Sequence, residues 1–144
     1  MVTTTLSHEQ RAFLGAARTA TLATIAPDGL PRLVPVCFVL DGDVVYSPLD
    51  EKSKSVGDVR ELARVRDVAA RPDVALLVHR WSEDWSELGW LRLQGKAELV
   101  EPSGLAHVIA ALRAKYPQYA GHDLEARPLI AIRIVVVRAW GSLA

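Results

Sequence analysis

Residues 19–47 read TATLATIAPDGLPRLVPVCFVLDGDVVYS, and this stretch decides the fold. Thr19 to Ile25 alternates threonine with apolar residues in a β-rich composition. Ala26-Pro27-Asp28-Gly29 supplies a proline with its φ pre-set and a glycine able to take a positive φ, the chemistry of a tight turn. A long apolar run follows from about Pro31 to Leu40, interrupted by Pro35. Proline cannot donate to a β-ladder, so this strand belongs at an edge or carries a bulge. Asp41-Gly42-Asp43 makes a second hairpin turn into Val44-Val45-Tyr46-Ser47. Three consecutive antiparallel strands are expected.

Towards the N-terminus, Ser7 begins a capping box in which Gln10 reaches back, so a short helix is expected over Ser7 to Arg18. On the other side the chain turns polar from Pro48 to Ser55. A helical period returns from about Val56 to Arg71, with Val59, Leu62, Ala63, Ala69 and Ala70 on one face. Arg71-Pro72-Asp73 stops it. Strands are expected at Val74 to Trp81 and at Trp90 to Glu101, the latter with Gly95 as a bulge. Ser103 is expected to cap a helix carrying Leu105, Val108, Ile109 and Leu112, and the β-branched run Leu129 to Trp140 reads as a sixth strand. The pattern predicts a mainly β, α+β architecture, a small antiparallel barrel of six strands with short peripheral helices. There is no Gly-x-Gly-x-x-Gly and no Walker-type loop, so a phosphate-bearing cofactor would be held by side-chain cations and loop amides.

Composition bounds the function. The 144 residues, at 15.7 kDa and 50% apolar, fit one domain with enough core to fold unaided. Seventeen Lys plus Arg balance seventeen Asp plus Glu, so no overall field draws the chain to nucleic acid or acidic lipid. The single cysteine, Cys37, fits a reducing compartment. Residues Met1 to Thr5 lack signal-peptide chemistry and no apolar run nears a membrane span, so a cytoplasmic protein is expected. Chains near zero charge tend to associate, which favours a self-partner.

Several features could carry chemistry. In Tyr46-Ser47-Pro48-Leu49-Asp50-Glu51-Lys52-Ser53-Lys54, two ammonium groups and two hydroxyls gather before a helix start, a competent phosphate grip; Asp50 and Glu51 offset the lysines, so a solvated loop fits the same residues. Pro31 to Val36 could offer a free backbone edge to a planar ring, or its prolines could simply guard an edge against aggregation. Trp81, Trp85 and Trp90 straddle a polar loop, a pattern suited to ring stacking, to a subunit interface, or, for Trp90, to core packing. Arg66 lies on the otherwise apolar helix face, where it either snorkels or reaches inward to an anion. His8, His79, His107 and His122 have no metal-ligand spacing, and Cys37 among apolar neighbours reads as an inert thiol. No catalytic side chain is singled out.

The ordered set Val44-Val45-Tyr46-Ser47-Pro48 with Lys52-Ser53-Lys54, Leu62 to Val68, Arg71 to Val78, Glu83 to Trp90 and Leu93 to Ala97 resembles the pyridoxamine 5'-phosphate oxidase-like split β-barrel family (FMN-binding split barrel, PPOX class). More narrowly, it is similar to the actinobacterial branch of F420-dependent oxidoreductases. The resemblance implies a homodimer of split barrels with two cofactor sites at the subunit interface. It implies coenzyme F420, or alternatively FMN, and hydride transfer to a small organic acceptor that is quinone-, nitro- or tetrapyrrole-like. A pyridoxamine phosphate oxidase-like or flavin reductase-like enzyme, and a non-catalytic cofactor- or haem-binding protein, are the alternatives. By position, Lys52, Lys54, Ser47 and Ser53 would hold the cofactor phosphate. Val34, Pro35 and Val36 would line the ring, Tyr46 and Pro48 would flank it, and Trp85 or Trp90 with Arg92 would come from the neighbouring subunit. The family often has Asn where this chain has Asp67, and an acid there would repel a polyanionic cofactor unless paired with Arg64 or Arg71, both within helical reach.

Overall fold

The computed structural model describes residues 5–49 and 62–144. Its elements run α1 (His8–Ala16), β1 (Ala20–Ile25), β2 (Pro31–Val36), β3 (Val39–Asp41), β4 (Val44–Pro48), α2 (Ala63–Ala70), β5 (Asp73–Arg80), β6 (Gly89–Val100), α3 (Ala106–Lys115) and β7 (Leu129–Gly141). All strand pairings are antiparallel and form one sheet in the order β2-β1-β5-β6-β7-β4-β3.

The local chemistry read from the sequence accounts for the N-terminal half. Ser7 caps α1 and exchanges hydrogen bonds with Gln10 as a capping box. Gly29 and Gly42 take positive φ at the two hairpin turns. Arg11 on α1 donates to the Gly42 carbonyl at 2.6 Å and to Asp43 Oδ1 at 2.8 Å, fastening the helix to the second turn.

Seven strands, not six, make the sheet, because the apolar run from Pro31 to Leu40 is two strands separated at Cys37 and Phe38. Phe38 is fully buried, and its backbone is claimed by a side chain rather than a ladder. Its N–H donates to the Tyr116 hydroxyl at 3.1 Å, and that hydroxyl lies 3.2 Å from the Phe38 carbonyl and 3.1 Å from the Arg18 carbonyl, able to donate to one at a time. The break has a topological effect. β2 and β3 are opposite edges of the sheet yet consecutive in the chain, so a two-residue link, not a row of hydrogen bonds, brings the edges together.

One core fills the concave side of the sheet. Val34, Leu22, Leu76, Leu93 and Val137 form a cross-strand row over β2, β1, β5, β6 and β7, all directed into it. Each fully buried leucine in that row contributes ~1.5–3 kcal/mol. A second cluster on the opposite side packs α3 (Val108, Ile109, Leu112) with Tyr116 and Tyr119 over Val39 and Leu129.

Three local expectations are corrected. Ser103 does not cap α3; Leu105 holds the N-cap position with no side-chain bond, after a turn in which Leu105 N–H donates to the Pro102 carbonyl. The irregularity expected at Gly95 is there, but the extra residue, Val135, sits on β7 between the partners of Gln94 and Gly95. Gly95 supplies the close approach, since a Cβ there would lie 2.2 Å from the Arg133 carbonyl oxygen. In α2 the buried residues are Val65, Asp67 and Val68, whereas Ala63, Ala69 and Ala70 are exposed. The stretch 56–61 of the expected helix, with Val59, lies outside the described residues.

Candidate functional site

The link between β2 and β3 organises the candidate site. β2 pairs with β1 alone, so half of its backbone groups face away from any ladder, and Pro31 and Pro35 stand on this edge as the proline rule required. Val34 is half-buried, Pro35 exposed and Val36 buried. The end of β4 meets this edge directly, because the Ser47 hydroxyl donates to the Cys37 carbonyl at 2.8 Å, across the seam. The end of β4 is thereby placed beside Cys37, the residue that follows Val34, Pro35 and Val36 in the chain. Ser47 is 1% exposed and its proton is committed to Cys37, so as placed it sets the seam's geometry and has no donor left for a phosphate. Tyr46 points the other way, half-buried, into a surface cleft. Lys52, Ser53 and Lys54 lie outside the described residues.

A side-chain cluster holds the link from behind. Arg18 donates to the Lys115 carbonyl at 2.7 Å and stacks over the Tyr116 ring, and Lys115 Nζ lies 4.0 Å from the Phe38 ring centroid and donates to the Leu14 carbonyl. Burial, assisted by the nearby Arg18 charge, pushes Lys115 down to about 8, and burial pushes the Tyr116 hydroxyl up.

Asp67 was expected to repel a polyanionic cofactor unless paired along its own helix with Arg64 or Arg71. The structure buries it instead, at 1% exposure, and supplies partners from across the barrel: Thr24 Oγ1 donates to Asp67 Oδ2 at 2.7 Å and Arg32 Nε donates to the same oxygen at 2.8 Å. Arg71 gives its backbone N–H to the Asp67 carbonyl. The charge on the buried face of α2 is therefore Asp67, whereas Arg66 is exposed and does not lie on an apolar face. Adjacent positions on a helix are about 100° apart, so a face assigned through Leu62, Ala63 and Ala69 misplaces its neighbours.

Trp85, Trp90 and Arg92 do not join the seam within one chain. Arg92 shares a cross-strand row with Leu77, Thr21 and Pro35, three strands away from Pro35, which at strand spacing is ~14 Å. Arg92 packs over the Trp90 ring at 5.5 Å, and Trp85, 71% exposed, rides on a short 3-10 turn capped by Asp84, whose carboxyl is held low by bonds from Ser86. Trp90 is half-buried and pairs across the sheet with Trp140, itself 54% exposed, which no sequence feature singled out. With exposed Leu33 and Leu77, these rings make the outer face strongly apolar. Among the described residues no cluster of His, Cys, Asp and Glu could hold a metal ion, and no helix is long and apolar enough to cross a membrane.

The model of the family described as Pyridoxamine 5'-phosphate oxidase matches residues 6–141. No curated protein matches. Among solved structures, a conserved hypothetical protein from Mycobacterium tuberculosis superposes at TM-score 0.75 with 23% identity, covering 94% of this chain and 85% of the other. An F420 reductase superposes at 0.66 with 22% identity, covering 92% of this chain and 98% of the other. A heme binding protein from Mycobacterium smegmatis superposes at 0.71 with 22% identity, covering 96% of this chain, which spans 56% of that longer one. At these identities the likeness is one of fold.

Proposed function

Because the chain belongs to the pyridoxamine 5'-phosphate oxidase family, we propose that it is an oxidoreductase of that family working with coenzyme F420 as a homodimer, and that its acceptor is a small organic molecule. The observation that carries this reading is the seam. The proline-bearing free edge of β2 is fixed against the end of β4 by the bond from Ser47 to Cys37, so a planar ring has unpaired backbone groups beside an apolar wall. The donor set fits such a group. Val34, Pro35 and Val36 offer backbone partners, Tyr46 and Pro48 offer flanking surface, and Lys52, Ser53 and Lys54 have the chemistry to hold the phosphate. When bound, the deazaflavin supplies the hydride chemistry, which explains why no triad or carboxylate pair is needed.

The chain's own part is to bind, orient and dry the site. Thr19 Oγ1 donates to the Val36 carbonyl at 3.2 Å, which leaves the edge between Pro31 and Pro35 as the stretch open to a ligand. Arg66, exposed on α2, is a further cation for the cofactor's anionic groups. Arg92 lies ~14 Å across the sheet from Pro35 in its own chain, with Trp90 on the same strand and Trp85 in the turn before it, which favours their reaching the ring of a second copy's site. The apolar outer face, with Leu33 69% exposed, supplies the surface for that association. The shared fold of an F420 reductase supports the choice of deazaflavin, and FMN in the same position is the alternative.

Titration with oxidised and reduced F420, and with FMN in parallel, followed by tryptophan fluorescence, tests the reading. Micromolar quenching by F420 is expected, weakened by Lys52→Ala with Lys54→Ala by ~1.5–3 kcal/mol for each charge-assisted bond lost. Tight FMN binding without F420 binding transfers the reading to a flavin enzyme. Binding with no turnover of quinone, nitro or tetrapyrrole acceptors makes the protein a carrier.

A further inference from the structure

A second site lies on the other side of Tyr46. A cleft of about 500 Å³ opens on the outer face of β4, β7 and β6, beside the start of α3. Val44 and Leu105 give it apolar walls, and Tyr46, Lys96, Glu98 and Arg133 bring polar heads. Register fixes their order: Val44, Arg133 and Lys96 share one cross-strand row, and Tyr46, Ala131 and Glu98 share the next row on the same face.

Two of these charges are left open. Lys96 is satisfied by Asp73. Arg133 and Glu98 are diagonal neighbours on adjacent strands, ~7–8 Å apart at the backbone and within reach of each other's long side chains. Yet among the described residues neither makes an ion pair or hydrogen bond, with the other or with anything else, and the Tyr46 hydroxyl has no partner either. Glu98 and Arg133 are both exposed, and closing such a pair gains only ~0–1 kcal/mol, so both heads stay available to a ligand. Here a guanidinium, a carboxylate and a phenol stand apart around an apolar-walled opening, the composition of a small-molecule pocket with a few convergent polar groups.

We propose that this cleft binds a flat, single-ring organic carboxylate. Its carboxylate takes the planar two-pronged fork of Arg133, and its ring lies between Val44 and Leu105 against Tyr46. Glu98 sets the selectivity: it disfavours a second negative charge and accepts from a ring N–H or hydroxyl. The site stands independently of the oxidoreductase reading above.

Benzoate and its neutral isostere benzamide are the probes, measured by calorimetry and saturation-transfer NMR without any cofactor. Benzoate is expected to bind better than benzamide, and Arg133→Ala to weaken benzoate tenfold or more while leaving benzamide unchanged. Arg133→Lys, which keeps the charge but loses the fork, falls between. Glu98→Gln is expected to tighten benzoate several-fold, a change in the direction that mere loss of structure cannot produce. F420 titration of the same variants separates the two readings: cofactor affinity should not change in Arg133→Ala, because Arg133 is outside the proposed cofactor set. If the wild-type chain binds benzoate through Arg133 but no deazaflavin or flavin, the cleft stands and the oxidoreductase reading falls. Equal benzoate affinity in wild type and Arg133→Ala, or no benzoate binding at millimolar concentration, overturns the proposal.

Discussion

Replacing Asp67 with alanine isolates the contact that ties α2 to strands β1 and β2. The substitution removes the acceptor of two hydrogen bonds, from Thr24 and from Arg32. Thr24 is 2% exposed, so its hydroxyl is left unpaired inside the barrel, at a cost of ~1–3 kcal/mol. The Arg32 side chain is 43% exposed and recovers water, so its loss is that of a surface pair, ~0–1 kcal/mol. Relief of the buried carboxylate's desolvation offsets part of this, which leaves ~1–3 kcal/mol. Asp67→Asn keeps an acceptor for Thr24 and loses only the charge opposite Arg32, so it should cost ~1 kcal/mol or less. Urea unfolding followed by tryptophan fluorescence reads the difference. With a slope of ~1–3 kcal/mol per molar urea, the alanine variant's midpoint falls by ~1 M and the asparagine variant's by a fraction of that. An alanine variant as stable as wild type, or an asparagine variant as damaged as the alanine one, refutes the assignment of the cost to the buried Thr24 hydroxyl.

Three further expectations concern the same framework. Lys115 carries a folded value of about 8 against an ordinary 10.5, so its buried charge weakens the fold below pH 8 and stability climbs between about 8 and 10.5, where only the unfolded chain still holds the proton; Lys115→Met should abolish that climb, as seen by comparing denaturation of the two proteins across pH. Gly95→Ala places a methyl 2.2 Å from a backbone oxygen of β7 that cannot swing aside, and thermal unfolding should show a loss of ~1–3 kcal/mol. Leu33→Glu puts a charge on the exposed outer face at no cost to the folded chain, so light scattering should show the proposed homodimer dissociating while circular dichroism stays unchanged.

What the sequence disclosed was set by how local the cause is. The capping box at Ser7 and Gln10 and the turns at Gly29 and Gly42 depend on residues within four positions of one another, and all are found. Pro35 announced an edge because a missing N–H has the same consequence in any fold. The break at Phe38 was hidden, since its cause is the hydroxyl of Tyr116, 78 residues away. Asp67 failed in the same way, its partners lying 43 and 35 residues distant on two strands. Ser47 was expected to hold a cofactor phosphate through the family resemblance, whereas its commitment to Cys37 appears only when both edges are in place. Trp140 and Arg133 drew no notice because each sits in a β-branched strand whose pattern is explained without them.

Closure through Cys37 and Phe38 also decides how this barrel can open. Along β6 and β7 any separation must break a ladder of backbone bonds, so those strands should exchange their amide protons at rates near that of global unfolding. At the seam the edges of β2 and β3 share no ladder and are latched by the side chains of Ser47 and Tyr116. Releasing the bonds of these two side chains parts the wall there while the rest of the sheet stays shut. Among the described strands the lightest latch thus coincides with the edge proposed to take a broad, flat ring, and for such a ligand admission and retention become one local equilibrium.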